Sequence, residues 1–342
     1  MVGIDLEALR ERLDRFAPVT GIRPLEGGLS SLTYLATAAD GAQLGPQLGP
    51  QLGPHFGPHF VVKMAPPGLA PVRNRDVLRQ ARVQEAVSRA GTAPVARVLF
   101  TDPGAPPEVP PLYAMEFRAG SSFEPLLDEC ETLPSPATIR ARMLAAAQAL
   151  AGLHAIDPTA VGLDDEPEVS LTDEVTRWVA IFETVADDLR AGWQAAADAL
   201  LLSRPPAVPS TVVHGEYRLG NLLLDGDRVS AIIDWELWTR EDPRIDLAWF
   251  LSYLDADDQP SAIRPTPAGM PARAEVLAVY EAARGAAVAD LAWFDAHARF
   301  KMAAICAHVS KNNRKRDHPD PAQEARIPVI ARLNAQAVAL LT

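Results

Sequence analysis

Residues 212–250 read VVHGEYRLGNLLLDGDRVSAIIDWELWTREDPRIDLAWF, and no other stretch of the 342-residue chain is as dense in placed polar groups. Two apolar, β-prone runs, Asn221 to Leu224 and Val229 to Ile233, flank Asp225-Gly226-Asp227, whose Asp-Gly step signals a hairpin turn. His214, Glu216, Arg218 and Asn221 stand before the first strand, and Asp234 and Glu236 stand after the second. A hairpin returns its ends to one place, so the carboxylates of Glu216 and Asp234 and the amide of Asn221 are expected to converge. Such oxygen ligands suit a hard cation such as Mg²⁺, which keeps several waters and uses one or two carboxylates together with substrate phosphates. The spacing leaves Glu216 free to accept a proton or orient a nucleophile.

The run HGEYRLGNLLLD…IIDWE resembles the catalytic and metal-binding hairpin of the aminoglycoside phosphotransferase and choline kinase family, small-molecule relatives of the protein kinases. The family's usual text is HGDxxxxN, then a strand and an Asp. The resemblance implies Glu216 and Arg218 as catalytic residues and Asn221 and Asp234 as metal ligands. It implies His214 and Asp246 as structural support, Asp246 holding the catalytic loop from the following helix. One position departs, since the family's base is Asp and this chain has Glu216.

Working outward, the upstream text supplies partners for that hairpin in the family's order. Runs Ile22 to Leu29 and Leu32 to Ala38 read as strands joined through Gly27-Gly28-Leu29-Ser30-Ser31, where successive backbone N–H groups can nest an anion. Phe60 to Met64 reads as a strand with one Lys; by pattern alone Lys63 points to solvent, and in this context it resembles the strand Lys that pairs with the α and β phosphates of ATP. A helix from about Asp76 to Ala90 follows, and its Gln80 stands where the family has a Glu to hold the Lys. Glu85 is the alternative partner, about 140° away on an ideal helix. Leu112 to Phe117 reads as a strand leading into Arg118, and Glu116, Phe117 and Arg118 resemble the hinge that meets the adenine edge. Leu223 and Ile233 would lie near the adenine. Residues 43–60, QLGPQLGPQLGPHFGPHF, have Pro at every fourth position, which forbids a central strand or helix and predicts an exposed extension of a hairpin tip; His55 and His59 are read there as solvated.

Beyond the hinge the text turns helical. Ser135-Pro136 is an N-cap with Pro at the first helical position, opening a helix that runs to His154. A second helix is expected from about Thr172 to Leu202, and another from Pro243 to Leu254. The fold implied is α+β and two-lobed, protein-kinase-like: an N-terminal antiparallel sheet with one main helix over 1–116, and a larger, mainly helical lobe over 117–342 that carries the hairpin 212–236. Within that family the text resembles the phosphotransferase domains fused to acyl-CoA dehydrogenases.

Composition narrows the function class. A net charge of −12 argues against non-specific nucleic-acid binding, which needs a basic surface, and would tolerate a cationic substrate. Cys130 and Cys306 lie far apart without a ligand pattern, so neither a disulfide framework nor a zinc site is indicated. No apolar run approaches the roughly 20 residues of a membrane span, and the N-terminus reads as an amphipathic helix, so a cytoplasmic protein is expected. The resemblance implies ATP or GTP and Mg²⁺ as cofactors, and as partner a small hydroxylated molecule, a hydroxyacyl compound or an aminoglycoside-like one, with contacts around Asp255 to Asp258 or after Pro271. The alternatives are a nucleotide-binding protein of reduced activity, because Glu216 replaces Asp, and a helical interaction protein whose sheet binds nothing.

Overall fold

The computed structural model describes residues 5–25, 31–39 and 58–342. Gly27, Gly28 and Ser30 of the small-residue turn, and the four-residue repeat up to residue 57, lie outside the described residues. In chain order the elements begin with α1 (Leu6–Asp14), β1 (Val19–Pro24), β2 (Leu32–Ala38), β3 (His59–Met64), α2 (Val77–Ala90), β4 (Val98–Asp102) and β5 (Leu112–Glu116). They continue with α3 (Pro136–His154), α4 (Leu171–Phe182), α5 (Trp193–Leu202), β6 (Thr211–Val213), β7 (Leu222–Asp225), β8 (Arg228–Ile232) and β9 (Thr239–Glu241). The chain closes with α6 (Arg244–Leu251), α7 (Arg273–Arg284), α8 (Leu291–Asn313), α9 (Pro321–Glu324) and α10 (Pro328–Ala339).

The chain divides into two units, Met1–Ser121 with Leu222–Trp238, and Ser122–Asn221 with Thr239–Thr342. In the first, an antiparallel sheet runs β1-β2-β3-β5-β4. Side chains alternate across a strand, so Phe60, Val62 and Met64 of β3 enter one core cluster with Leu9 and Leu13 of α1. Lys63 faces the other side, where its register partners are Thr33 and Tyr113. Tyr113 joins Val77 and Ala81 of α2 in a second cluster. Asp76 caps α2 by accepting from the Arg79 N–H, and Gly91 ends it in the left-handed region at φ 70°.

The hairpin strands β7 and β8 belong with this first unit, whereas the sequence division counted them with the second. Their backbone groups explain why. Ser121 and Leu224 exchange two backbone hydrogen bonds of 3.1 and 3.0 Å, and the Ile232 N–H donates to Pro94 O at 2.9 Å. The Ser230 hydroxyl donates to Ala119 O at 2.6 Å. A Cβ on Gly120 would come within 2.9–3.0 Å of the Leu224 backbone, so this close approach requires glycine.

In the second unit α8 is central and packs with α4, α5, α6 and α10 around Trp178, Phe182, Trp249, Phe294 and Phe300. Ser135 caps α3 by accepting from the Thr138 N–H, with Pro136 at the first position. The single helix expected over 172–202 is two helices. Its first half ends at Phe182, a 3₁₀ turn covers Asp187–Leu189, and α5 starts after Gly192, whose φ of 77° an α-helix cannot contain. That glycine was the visible signal, because the intervening ETVADDLRA is helix-compatible in composition. No described helix is long and apolar enough to cross a membrane.

Candidate active site

In the first unit the site begins with Lys63. An ammonium on the middle strand of a sheet would be costly to bury alone; it is 7% exposed, and its Nζ donates to Asp234 Oδ1 at 3.0 Å. Asp234 directly follows the hairpin and sits in the left-handed region at φ 66°, a conformation that costs a non-glycine residue of order 1 kcal/mol and that short polar Asp tolerates best. The strain is held in place downstream. Arg79 of α2 donates to Trp238 O at 2.9 Å and stacks 4.2 Å from the Trp238 ring centroid, pinning the segment after Asp234. Burial, and next the charge of Asp234, push the Tyr113 hydroxyl above its ordinary pKa, so it stays protonated and donates to Gln84 Oε1 at 3.3 Å.

Neither expected partner of Lys63 is bonded to it. Gln80 is buried, but its amide nitrogen donates to Asn74 O at 2.9 Å and its Oε1 has no hydrogen-bond partner among the described residues. Glu85 is exposed. The residue one turn on from Gln80 is the one committed to the sheet: Gln84 donates to Ala96 O at 2.6 Å and meets Tyr113. At the hinge the carboxylate of Glu116 is held by Arg97 at 2.7 Å and Arg118 at 3.2 Å, Phe117 is half exposed, and Leu223 and Ile233 are partly exposed. Ser31 is buried at the start of β2.

In the second unit the loop from His214 to Asn221 follows β6. Asp246, fully buried at the start of α6, accepts from the His214 N–H at 2.6 Å and the Gly215 N–H at 2.8 Å, with His154 Nε2 at 3.5 Å. Burial pushes its pKa up, but the His154 and His214 interactions outweigh that and hold it below the ordinary carboxylate range. His154, driven towards its neutral form by burial, accepts from the Tyr280 hydroxyl through Nδ1 at 2.8 Å if Nε2 carries the proton towards Asp246. His214 Nδ1 accepts the Glu216 N–H at 3.2 Å.

The carboxylate of Glu216 is about one-third exposed and lies 3.4 Å from Arg218 Nε. Asn221 Nδ2 donates to Glu216 O at 2.9 Å. The sequence reading missed two residues of this loop's surroundings. Glu124 is fully buried, accepts from the Gly220 N–H at 3.1 Å and lies 3.9 Å from Arg218. Lys301 of α8 donates to Gly215 O at 2.5 Å. Each sits in an apolar stretch far off in sequence, and no local pattern marks it.

Among the described residues no group of three or more His, Cys, Asp or Glu could hold a metal.

A sequence model of the phosphotransferase enzyme family matches residues 21–270. The probable acyl-CoA dehydrogenase IBR3 of Arabidopsis thaliana is 29% identical over 274 residues, covering 73% of this chain and 32% of its own length. The chain spans 18% to 33% of the length of the curated relatives it matches. Among solved structures, a candidate aminoglycoside phosphotransferase of Ralstonia eutropha JMP134 superposes with a TM-score of 0.74 at 21% identity, covering 98% of both chains. A thermostable aminoglycoside phosphotransferase APH(4)-Ia, in complex with ADP and hygromycin B, gives 0.58 at 17% identity, over 95% of this chain and 98% of the other. The kinase-like fold is thus shared, and the chain belongs to the phosphotransferase enzyme family.

Proposed function

We propose that this chain transfers the γ-phosphoryl group of ATP, with Mg²⁺, to a hydroxyl group of a small molecule. The observation that carries the reading is the buried Lys63 paired with Asp234, an ammonium held ready on the sheet by a carboxylate that a metal can claim. Asn221 and Asp234 would hold the ion. Mg²⁺, when bound, neutralises the charge that spreads over the transferring phosphoryl group. Lys63, now on Asp234, would offer its donors to the α and β phosphates. The partly exposed Leu223 and Ile233 offer apolar surface to the adenine, with Glu116, Phe117 and Arg118 at its edge. Glu216 orients the acceptor hydroxyl and takes its proton, and Arg218 fixes the Glu216 carboxylate. The complexes with ADP described for APH(4)-Ia support the nucleotide part of this reading.

For the acceptor we favour a hydroxy acid or hydroxyacyl thioester over an aminoglycoside, because the sequence relatives bear acyl-CoA dehydrogenase names. ADP release with Mg-ATP across a panel of both classes tests it. Turnover with a hydroxyacyl compound is expected, and tight Mg-ATP binding without turnover on any acceptor would favour a second reading. That reading is a nucleotide-binding protein of reduced activity, motivated by Glu216 at the family's Asp position: one extra methylene moves the carboxylate by about an ångström, which can cost on the order of 10²-fold.

A further inference from the structure

Gly215 is gripped on both sides: its N–H donates to Asp246 Oδ1 at 2.8 Å, and its carbonyl, the oxygen of the Gly215–Glu216 peptide, accepts from Lys301 Nζ at 2.5 Å. The N–H of that peptide, from Glu216, donates to His214 Nδ1 at 3.2 Å. Gly215 has φ 85°, which glycine adopts without strain, so side-chain sterics do not fix this peptide's orientation and its hydrogen bonds do. Lys301 is 3% exposed and lies between two indoles, its Nζ 4.2 Å from the Trp249 ring centroid and 5.4 Å from that of Trp178. A methionine would fill the same volume without the cost of desolvating an ammonium, so the structure retains a charge that packing does not need.

The surroundings are arranged to keep that charge. Burial pushes the ammonium towards its neutral form, and the negative charge of Glu174 opposes this most strongly. Burial pushes the pKa of Glu174 up, but Arg177 first, with Lys301 and the Trp178 N–H, holds it below the ordinary carboxylate value; Arg177 lies at 3.1 Å and the Trp178 N–H donates to it at 2.7 Å. Asp246 and Glu216 also favour the charged form of Lys301, and Arg177 opposes it. Burial pushes His297 down to about 4 and Glu241 well above the carboxylate range. The cation's hydrogen-bond partner among the described residues is the Gly215 carbonyl.

We propose that Lys301 is a positioning residue that, opposite Asp246, sets the Gly215–Glu216 peptide and through it the reach of the Glu216 carboxylate. The proposal rests on the reading of Glu216 as the residue that orients the acceptor hydroxyl. Lys301 touches neither nucleotide nor acceptor in this scheme. Its loss is felt in turnover, with nucleotide affinity unchanged.

The test compares wild type with Lys301→Met, which keeps the stem and removes the ammonium, and Lys301→Arg, which keeps the charge. Mg-ATP affinity by calorimetry, kcat on the accepted substrate, and hydrogen exchange of the peptide spanning His214 to Asn221 are read together. Lys301→Met is expected to keep its Mg-ATP Kd within about twofold, lose on the order of 10² in kcat, as misplacement of about an ångström does, and lose protection in that peptide. Lys301→Arg is expected to restore part of both. Unchanged kcat and protection in Lys301→Met, or equal losses of kcat and Mg-ATP affinity, would overturn the proposal. Should Lys301→Met fail to fold, Lys301→Gln, with a shorter neutral donor, is read against the same outcomes. If the wild type turns over no acceptor, the functional reading falls alone, and the exchange arm still decides whether Lys301 sets the loop.

Discussion

Lys63 and Lys301 are both buried, at 7% and 3% exposure, and their surroundings differ in the kind of partner each ammonium holds. Lys63 bonds a side-chain carboxylate that is itself 35% exposed. That carboxylate can be drawn off by an incoming ion, which frees the ammonium for another anion. Lys301 bonds a backbone carbonyl and is covered by two Trp rings, so its partner cannot be exchanged without moving the chain. Burial alone does not assign a role to a charged residue; the exchangeability of its partner does.

The comparison can be broken most directly at Lys63. Lys63→Met is expected to reduce phosphoryl transfer by on the order of 10² to 10³, the scale for removing a preorganised donor from developing charge. It should also weaken Mg-ATP binding, which Lys301→Met spares. Calorimetry and steady-state kinetics on the two variants check this, and matching profiles would erase the distinction. Lys301→Met comes next, with its loss of about 10² confined to kcat.

A third buried charge gives the comparison a pH axis. Burial pushes Glu124 up to about 7, against the pull of Arg218 and the Gly220 N–H. The folded value lies above the ordinary 4.5, so the folded chain holds the proton longer than the unfolded one. This stabilisation is complete below about pH 4.5 and is lost as pH rises to about 7, a fall of up to about 3 kcal/mol at 1.36 kcal/mol per unit. Glu124→Gln should remove that slope relative to wild type in urea unfolding between pH 5 and 8. A parallel pair of curves would show that Glu124 stays ionised.

Glu216→Asp is expected to lower kcat about tenfold, since a shortened side chain withdraws the carboxylate from a loop set by Asp246 and Lys301. A gain in rate would instead identify an impaired site. The smallest effect is expected at Tyr113→Phe, which removes one buried hydrogen bond to Gln84 beside Lys63 and should cost about 1 kcal/mol of stability by thermal or urea unfolding, with little change in kcat.

Much of the fold was legible locally. Ser135-Pro136 caps α3 as its chemistry demands, Asp225-Gly226 turns the hairpin with Gly226 at φ 62°, and β3 alternates so that Lys63 shares no face with Phe60 and Val62. The partner of Lys63 was not legible. On the helix Gln80 had the right position by resemblance, yet its amide turned to Asn74, and a carboxylate 171 residues away along the chain took the bond. The break between α4 and α5 was missed because nine helix-compatible residues precede Gly192.

The sequence by itself determined most of the elements, the hairpin between its polar flanks and the family, because caps, turns and strand alternation are set by residues within a few positions of one another. Only the tertiary structure decided which charges are buried and what holds them. Lys301 reads in sequence as one cation among the apolar residues of ARFKMAAICAH, and Glu124 as one acid in a loop. Burial of both, the Trp rings beside Lys301, and the bonds of Lys301 to Gly215 O and of the Gly220 N–H to Glu124 arise only once the helices and the 214–221 loop are packed together.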